Sequence, residues 1–248
     1  AVNIPLAKGK VAARLTGALR NRDGYVDIYD RNNNKIGESN NVDQYYLRGQ
    51  IAFQGEEKWS GRVIIDHSNS DSVCCSAIEV SQSPVEAAGI FGLVGLGARG
   101  GMVAPNVATS ATDTAGAQAA VDDLIASSSQ VPSPFSEQTG LTAELKYELN
   151  DNTDLIYIGS YREYDAVEAY DSDFSALDVF NVTDNQTSIE TMTHELRVQG
   201  EAFDGALNWL VGGYYSKEDI SQSVSFALGA DFDRHSQGNI VGSGKRPR

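Results

Sequence analysis

The feature that most constrains this fold is an alternation of apolar and polar residues, sustained over runs of about ten residues. In "LTAELKYELN" (141–150), leucine, alanine and tyrosine occupy the odd positions, whereas threonine, glutamate and lysine fall on even ones. Successive side chains of a strand point to opposite faces, so each run predicts a strand with one apolar and one polar face. Similar runs occupy 11–20, 45–54, 155–162, 194–199 and 207–215. Runs of this length match tilted membrane-spanning strands and exceed the usual soluble strand.

The connections between these runs alternate strictly between short and long. The short ones are "LAKGK" (6–10), "QGEEKW" (54–59), "NDNTD" (150–154) and "EAFDGA" (201–206). The long polar ones cover 21–42, 67–138, 165–188 and 217 onward. Alternate connections of an up-and-down sheet lie at opposite ends, so one end has tight turns and the other has large loops. This asymmetry is typical of membrane barrels and predicts an all-β, antiparallel, up-and-down transmembrane β-barrel, partial, with about seven to nine strands.

The long connections set the predicted domain boundaries. We expect barrel strands in 1–66, a large extracellular loop with short helices in 67–138, barrel strands and loops in 139–235, and a tail in 236–248. Two segments of the large loop have helix-compatible patterns, "SPVEAAGIFGLVG" and "TAGAQAAVDDLIASSSQ", the latter at 114–130. A separate helical subdomain is the alternative, but these segments offer little apolar surface to bury.

Composition limits the classes of partner and of covalent cross-link that this chain can have. The formal net charge is −15, which argues against a nucleic-acid partner because that surface would repel phosphates. The only two cysteines, Cys74 and Cys75, are adjacent and therefore provide no disulfide framework. They can form a vicinal disulfide, pair with other chains, or remain reduced in a loop. No apolar run approaches the length of a transmembrane helix.

The sequence contains no recognisable catalytic constellation. Asp66, His67 and the serines Ser68 and Ser70 lie close together, but neighbouring residues in a strand point to opposite faces, so Asp66 is poorly placed to orient His67. The nucleophile-elbow, zinc-protease, phosphate-loop and dinucleotide motifs are all missing from the sequence. We therefore expect no enzyme activity.

Two sets of residues are candidates for binding. Asp30, Asn32 and Asn34 have the spacing that begins an oxygen-ligand calcium loop, although the glycine and the bidentate glutamate of such loops are missing. Calcium is thus the only cofactor that the sequence suggests, and a polar hairpin tip is the alternative. Arg14, Arg48 and Arg162 occupy polar strand positions. In a barrel they would face the lumen and meet an anionic substrate, or else form salt bridges with glutamates on neighbouring strands.

Several stretches resemble the β-barrel of TonB-dependent outer-membrane receptors, in particular the group from sphingomonad-like and caulobacter-like bacteria. They are "KVAARLTGALRNRDGYVD", "YYLRGQIAFQ", "DHSNSDSVCCSA", "ELKYELNDNTDLIYIGSYREYD" and "HELRVQGEAFDGALNWLVGGYYSKED". The most specific is "ELRVQGEAFDGALNWLVGGYY", where the family places a strand, a periplasmic turn with glycine, and a strand rich in tryptophan, glycine and tyrosine. Its apolar residues would face lipid: Leu196, Val198, Leu207, Trp209 and Val211.

The resemblance implies a location in the bacterial outer membrane and uptake of a small-molecule ligand, such as a siderophore or a carbohydrate. It also implies contact with membrane lipid, and with the TonB system through a plug domain that this chain does not show. The family's final aromatic strand is not visible either, so we expect part of such a barrel. The alternative is a stand-alone small β-barrel, a binding protein or hydrolase derived from such a receptor, because eight strands suffice for closure.

Overall fold

The computed structural model describes residues 1–30, 32, 34–55, 58–74, 76–78, 121–172, 174, 178 and 180–230. Nearly all of the regular structure in these residues is β-strand. The strands are β1 (Val2–Ala7), β2 (Val11–Arg22), β3 (Val26–Tyr29), β4 (Lys35–Ser39), β5 (Val42–Gln54), β6 (Trp59–Ser70), β7 (Ile125–Ser127), β8 (Phe135–Asn150), β9 (Thr153–Asp171), β10 (Phe180–Ala202) and β11 (Leu207–Leu228).

Eight strands form one antiparallel sheet in the order β1-β2-β5-β6-β8-β9-β10-β11. Each strand pairs with its neighbours along the chain, apart from the insertions after β2 and β6, so the sheet is an up-and-down meander. The tight connections predicted at 6–10, 54–59, 150–154 and 201–206 all lie at one end, which we call the turn end. The other end is called the loop end. The predicted all-β, antiparallel, up-and-down architecture is confirmed.

The ladder gives the sheet two chemically distinct faces, because directly paired residues share a face. Ala13, Ile51, Val63 and Ala143 pair in succession across four strands, and they belong to what we call the apolar face. The side chains on this face are well exposed. For example, the exposed fraction is 50% for Ile51 and 52% for Leu196. The opposite side, which carries the strand arginines, is called the polar face.

The strands extend further toward the loop end than the sequence pattern predicted. The predicted loop over 165–188 is wrong for most of its length, since β9 continues to Asp171 and β10 begins at Phe180. Likewise β11 continues to Leu228 instead of ending near 217. Nearer the loop end, polar residues such as Glu163 and Glu190 lie on the same side of the sheet as the apolar face. They still pair with each other in register. Backbone pairing therefore continues where the alternation that reveals it has stopped.

A second sheet of three strands, in the order β4-β3-β7, lies at the loop end. We call it the cap. The connection after β2 supplies the hairpin β3–β4, and β7 adds in parallel to β3. Val26, Ile28, Ile125 and Ala126 are buried in it, with Ile28 fully so. The helix predicted over 114–130 is wrong at its C-terminal part, because Ile125 lies in β7 and Leu124 has a left-handed backbone (φ 52).

The other predicted helical segment and residues 114–120 lie outside the described residues. Among the described helical residues, none belongs to a helix long and apolar enough to cross a membrane.

The eight-stranded sheet is open. Its edges are β1 and β11, and in the described part of the chain neither pairs with a further strand of this sheet. The eight strands thus do not close into the small barrel considered as the alternative. The 22 residues of β11 leave a long row of unpaired backbone groups, which in water would promote edge-to-edge association.

Candidate ligand-facing surface

The three arginines predicted to face a lumen lie on the same face of the sheet. Arg14 pairs with Gln50 on β5, and Arg48 lies two residues from Gln50 on that strand. Arg48 in turn pairs with Asp66, which connects through Gly140 to Arg162 on β9. The structure thus brings all three to the polar face. Whether that face borders a lumen stays a prediction.

Arg162 and Asp66 form the best-defined ion pair of this surface. The two Arg162 Nη atoms donate to the two Asp66 carboxylate oxygens at 3.0 Å and 3.2 Å. The residues belong to strands separated by β8, where Gly140 lies between them in register. A Cβ at position 140 would lie 2.6 Å from an Arg162 Nη atom. Only a glycine lets the guanidinium cross this strand, and bidentate geometry makes the pair specific.

Salt bridges to the glutamates do occur, but other cations make them. Arg62 bridges Glu144 at 2.8 Å. Lys146 lies 3.6 Å from Glu148 and 3.0 Å from Asp154. The charges in the turn half of the polar face are therefore largely neutralised locally. In the loop half, Arg20 and Arg48 make no ion pair with any residue that the structure describes.

A cavity of about 340 Å³ opens on the loop half of the polar face. Arg20, Tyr46 and Tyr164 line it, together with the amide side chains of Gln44 and Gln138. The remaining lining residues are Ala18, Tyr45, Ser68, Asn69, Ser70, Ser136 and Glu137. The lining thus combines one cation and one acid, Arg20 and Glu137, with three tyrosines and several neutral hydrogen-bonding groups, which suits an oxygen-rich small molecule.

Tyr46 and Tyr164 were not among the binding residues predicted from the sequence. Their parity could have revealed them, since Tyr46 lies two residues from Arg48 and Tyr164 two residues from Arg162 on the same strands. The register that joins β5 to β9 through two intervening strands was not readable from the sequence.

Neither strand histidine takes part in a catalytic triad. The His67 ring hydrogen-bonds the Tyr45 hydroxyl at 2.9 Å and the Thr139 hydroxyl at 3.0 Å. Asp66 points to the other face, as the strand geometry predicted. His194 hydrogen-bonds the Tyr157 hydroxyl at 2.7 Å, also on the apolar face. Both rings therefore tie neighbouring strands together, which is a structural role.

The apolar face has aromatic side chains near both of its ends. Toward the turn end, Trp59 and Tyr147 on adjacent strands contact each other with ring centroids 4.6 Å apart. Toward the loop end, Tyr45 contacts His67 at 5.6 Å. Between Trp59 and His67 on β6, the residues on this face are Gly61, Val63 and Ile65.

The proposed calcium loop is held together by its own hydrogen bonds. The Asp30 carboxylate accepts bonds from the backbone N–H groups of Asn32 and Asn34, each at 2.8 Å, and from the Asn34 side-chain amide at 3.0 Å. These donors, the Asn34 amide foremost, lower the pKa of Asp30. Among the described residues, three or more acidic, histidine or cysteine side chains nowhere converge on a metal-sized site. Calcium binding stays a prediction.

Cys74 lies near the loop end, shortly after β6. Cys74 is part of a disulfide, and Cys75 lies outside the described residues, so the vicinal disulfide stays a prediction. The preceding residue, Val73, is fixed on both sides of its backbone, because its carbonyl accepts from the Asn40 N–H at 2.7 Å and its N–H donates to the Asn41 side chain at 2.5 Å.

The cap is fastened to the main sheet through a buried carboxylate. Asp171, at the end of β9, is 2% exposed. It accepts hydrogen bonds from the Ser128 hydroxyl at 3.0 Å and from the Ser129 backbone N–H at 2.8 Å. Ser133 adds a backbone bond to Ala169 at 2.9 Å. These contacts fix the segment after β7 against β9, so the cap is held at the loop end of the strands.

Comparison with known proteins gives structural similarity only. No family model and no curated protein matches the chain. Among solved structures, the ferric yersiniabactin uptake receptor FyuA from Yersinia pestis matches with a TM-score of 0.61 at 10% identity, over 90% of this chain and 28% of that chain. The siderophore receptor PiuA from Acinetobacter baumannii matches with a TM-score of 0.58 at 15% identity, over 98% of this chain and 30% of that chain.

The ferric-catecholate import receptor Fiu from E. coli K12 matches with a TM-score of 0.52 at 13% identity, over 90% of this chain and 29% of that chain. The chain thus spans less than a third of the length of these three receptors. At such identities the similarity shows the fold alone, an antiparallel sheet that matches part of the β-barrels of these structures.

Proposed function

We propose that this chain is part of a TonB-dependent outer-membrane receptor that takes up a scarce small molecule, with siderophores as the first candidates. The observation that carries the proposal is the two-faced meander. An exposed apolar face spans the strands, and a polar face with partly exposed ion pairs lies opposite. Soluble proteins rarely leave so large a contiguous apolar surface uncovered.

In the proposed arrangement, the apolar face contacts lipid and the polar face lines the barrel interior. Aromatic residues such as Trp59 and Tyr147 fit the headgroup level at the turn end, where barrels carry aromatic girdles. On β6, His67 lies eight positions after Trp59. At a rise of about 3.3 Å per residue and a tilt of about 40°, they span about 20 Å of height, near the apolar band of membrane barrels.

The open edges fit the same proposal. Large outer-membrane transporters close a barrel with many more strands than eight. In the proposed receptor, β1 and β11 would pair with the additional strands. The structural similarity to three receptors whose names specify siderophore or iron-chelate uptake favours this ligand class over carbohydrates. Energy for uptake would come from TonB through a plug domain inside the barrel.

The test is localisation combined with uptake, on the full-length protein in its native cell. We expect it in the outer-membrane fraction, with the heat-dependent gel mobility of folded barrels, and we expect uptake of radioactive iron as a siderophore complex to stop when either its gene or TonB is deleted. A protein found only in soluble fractions would contradict the membrane assignment. Iron uptake that is unchanged in the gene deletion would contradict the siderophore assignment.

A further inference from the structure

We propose that a groove on the apolar face, between β2 and β6, holds one acyl chain of a membrane lipid from the leaflet nearer the loop end. We call it the lipid groove. This assignment rests on the proposed function, because the apolar face meets lipid only if the chain is part of a membrane barrel. It goes further in giving one part of that face a defined lipid site, whereas the remainder contacts lipid without preference.

The lipid groove is a cavity of about 580 Å³. Its walls are Ala1 and four apolar side chains that are each more than half exposed: Val2, Leu15, Leu47 and Ile65. Gly17 and Gly49 form its floor. Thr16, Arg48 and Asp66 also border it, but strand alternation turns their side chains to the polar face, so they contribute backbone only. The side chains around the groove are therefore apolar along most of its length.

The register of three strands produces this shape. Leu15, Gly49 and Ile65 form one row of paired residues across β2, β5 and β6. A glycine between two larger side chains leaves a depression one strand wide. In the next row toward the loop end, Gly17 pairs with Leu47, so the depression continues beside Leu47.

The backbone does not require glycine at either floor position. Neither Gly17 nor Gly49 has a left-handed φ. A Cβ would make ordinary contacts, 3.5 Å from Leu47 at position 17 and 3.5 Å from Ile65 at position 49. The ladders on both sides continue without a bulge. A glycine weakens a strand, and where there is no bulge it often marks a place that another molecule approaches closely.

The width of the groove selects an acyl chain over a protein segment. Leu15 and Ile65 lie two strand spacings apart, about 10 Å between their backbones. Side chains from both sides leave room for one unbranched chain, whereas a helix with its side chains is about 10–12 Å across. A strand cannot add there either, because β2, β5 and β6 are each paired on both sides. Within a bilayer, van der Waals contact with the walls would hold the chain.

The loop-side end of the groove meets a polar layer. His67 borders the groove, and its ring hydrogen-bonds the hydroxyls of Tyr45 at 2.9 Å and Thr139 at 3.0 Å. Tyr45 pairs with Asn69, which pairs in turn with Glu137. An acyl chain in the groove would thus end among hydroxyl and amide groups that can bond the ester and headgroup oxygens of a lipid, at the level of an aromatic girdle.

The test is photocrosslinking of the full-length protein in its native cell, with benzoylphenylalanine incorporated singly at position 47 or position 196. Both positions carry an apolar-face leucine, and the exposed fractions are similar, 55% and 52%. Only the first of them borders the groove. Mass spectrometry of each adduct identifies the captured molecule as lipid or protein. We expect lipid adducts at both positions, about fivefold more at position 47, because more carbon–carbon contacts hold the chain there.

A filled groove should lose this preference. Gly49→Leu should reduce the adducts at position 47 to within about twofold of those at position 196, since the new side chain takes the place of the lipid chain. Gly213→Leu is the matched control. It makes the same change on the same face, next to Leu196 in register, where a Cβ meets nothing within 4 Å, and it should leave the adducts at both positions unchanged. All variants are first checked for unchanged heat-dependent mobility.

The outcomes separate the groove from the proposed function. Lipid adducts at position 47 that do not exceed those at position 196, or that persist in Gly49→Leu, overturn the lipid groove alone. Protein adducts at position 47, from a second copy or from another segment of the receptor, also overturn the groove alone. A protein that gives no lipid adducts at either position overturns the proposed function together with the groove.

Discussion

Two adjacent residues of β8 should lose stability to very different extents when each is replaced by the same residue. Ala143 lies on the apolar face, paired with Val63 and Gly159, while Thr142 lies on the polar face, paired with Ile64 and Ser160. Replacing each with arginine places one charge at nearly the same height on opposite faces of the sheet. Both positions are partly buried, which makes them a matched pair.

The expected magnitudes differ severalfold. Ala143 lies two residues after Leu141 and four before Tyr147 on the same face, well inside the apolar stretch. An arginine that faces lipid at the bilayer midplane costs about 2–4 kcal/mol of folding free energy. This corresponds to about a 30-fold to 1,000-fold change in the folding equilibrium. Thr142→Arg loses the 3.2 Å hydroxyl contact to Ser160, worth about 1 kcal/mol, and gains proximity to Glu144 on the same face.

The assay is urea unfolding of the full-length protein in lipid vesicles, followed by heat-dependent gel mobility. We expect Ala143→Arg to lower the free energy of unfolding by at least about 1 kcal/mol more than Thr142→Arg. Equal effects, or a larger effect of Thr142→Arg, would refute the assignment of the apolar face to lipid.

Three further results follow from particular contacts. Gly140→Ala should destabilise the folded state by about 1–2 kcal/mol in the same unfolding assay, because its Cβ displaces the Arg162 guanidinium and leaves Asp66 unpaired; an unchanged stability would show that the pair contributes nothing. Asp171→Ala should raise hydrogen exchange at 125–129 without affecting β10, since it removes the acceptor of Ser128 and Ser129; unchanged exchange would contradict its role in holding the cap. The lowered pKa of Asp30 means that its stabilising bonds are complete above the unfolded-state pKa of about 3.9 and are lost as pH falls through the lower folded value. Asn34→Ala should therefore raise the Asp30 titration midpoint measured by carbon NMR, and no change would show that the Asn34 amide is not the main cause.

The strands were predictable where one face is apolar and the other polar. Leu141 to Leu149 illustrate this, since every apolar residue of that run lies on one face of β8. The tight turns were predictable for a related reason, because short polar stretches between two such runs leave no room for anything else.

The pattern was uninformative where both faces are polar. Residues 165–171 of β9 and 217–228 of β11 were predicted as loops, yet they continue their ladders. The strand β7 was predicted as helix because its three residues are too few to show an apolar–polar alternation. Its pairing partner β3 is nearly 100 residues away in sequence. Long-range pairing of this kind depends on the tertiary structure.

The binding residues, too, were predictable from the sequence only in part. Parity alone placed Arg14, Arg48 and Arg162 on one face, as observed. Parity could not identify which arginine would form an ion pair with Asp66. Arg48 is its direct neighbour in register, but Arg162 forms the ion pair from the far side of Gly140. That outcome depends on a glycine in the strand between them, and it determines which cations remain available to a ligand.

The central claim, that the apolar face contacts lipid and the polar face borders an aqueous interior, is tested most directly by spin labels placed singly at 141–148 of β8. The full-length protein is reconstituted in vesicles, with Cys74 and Cys75 replaced by serine. The account predicts that labels at odd positions are accessible to lipid-soluble oxygen and labels at even positions to a water-soluble nickel complex. An absence of alternation, or the opposite parity, would contradict it.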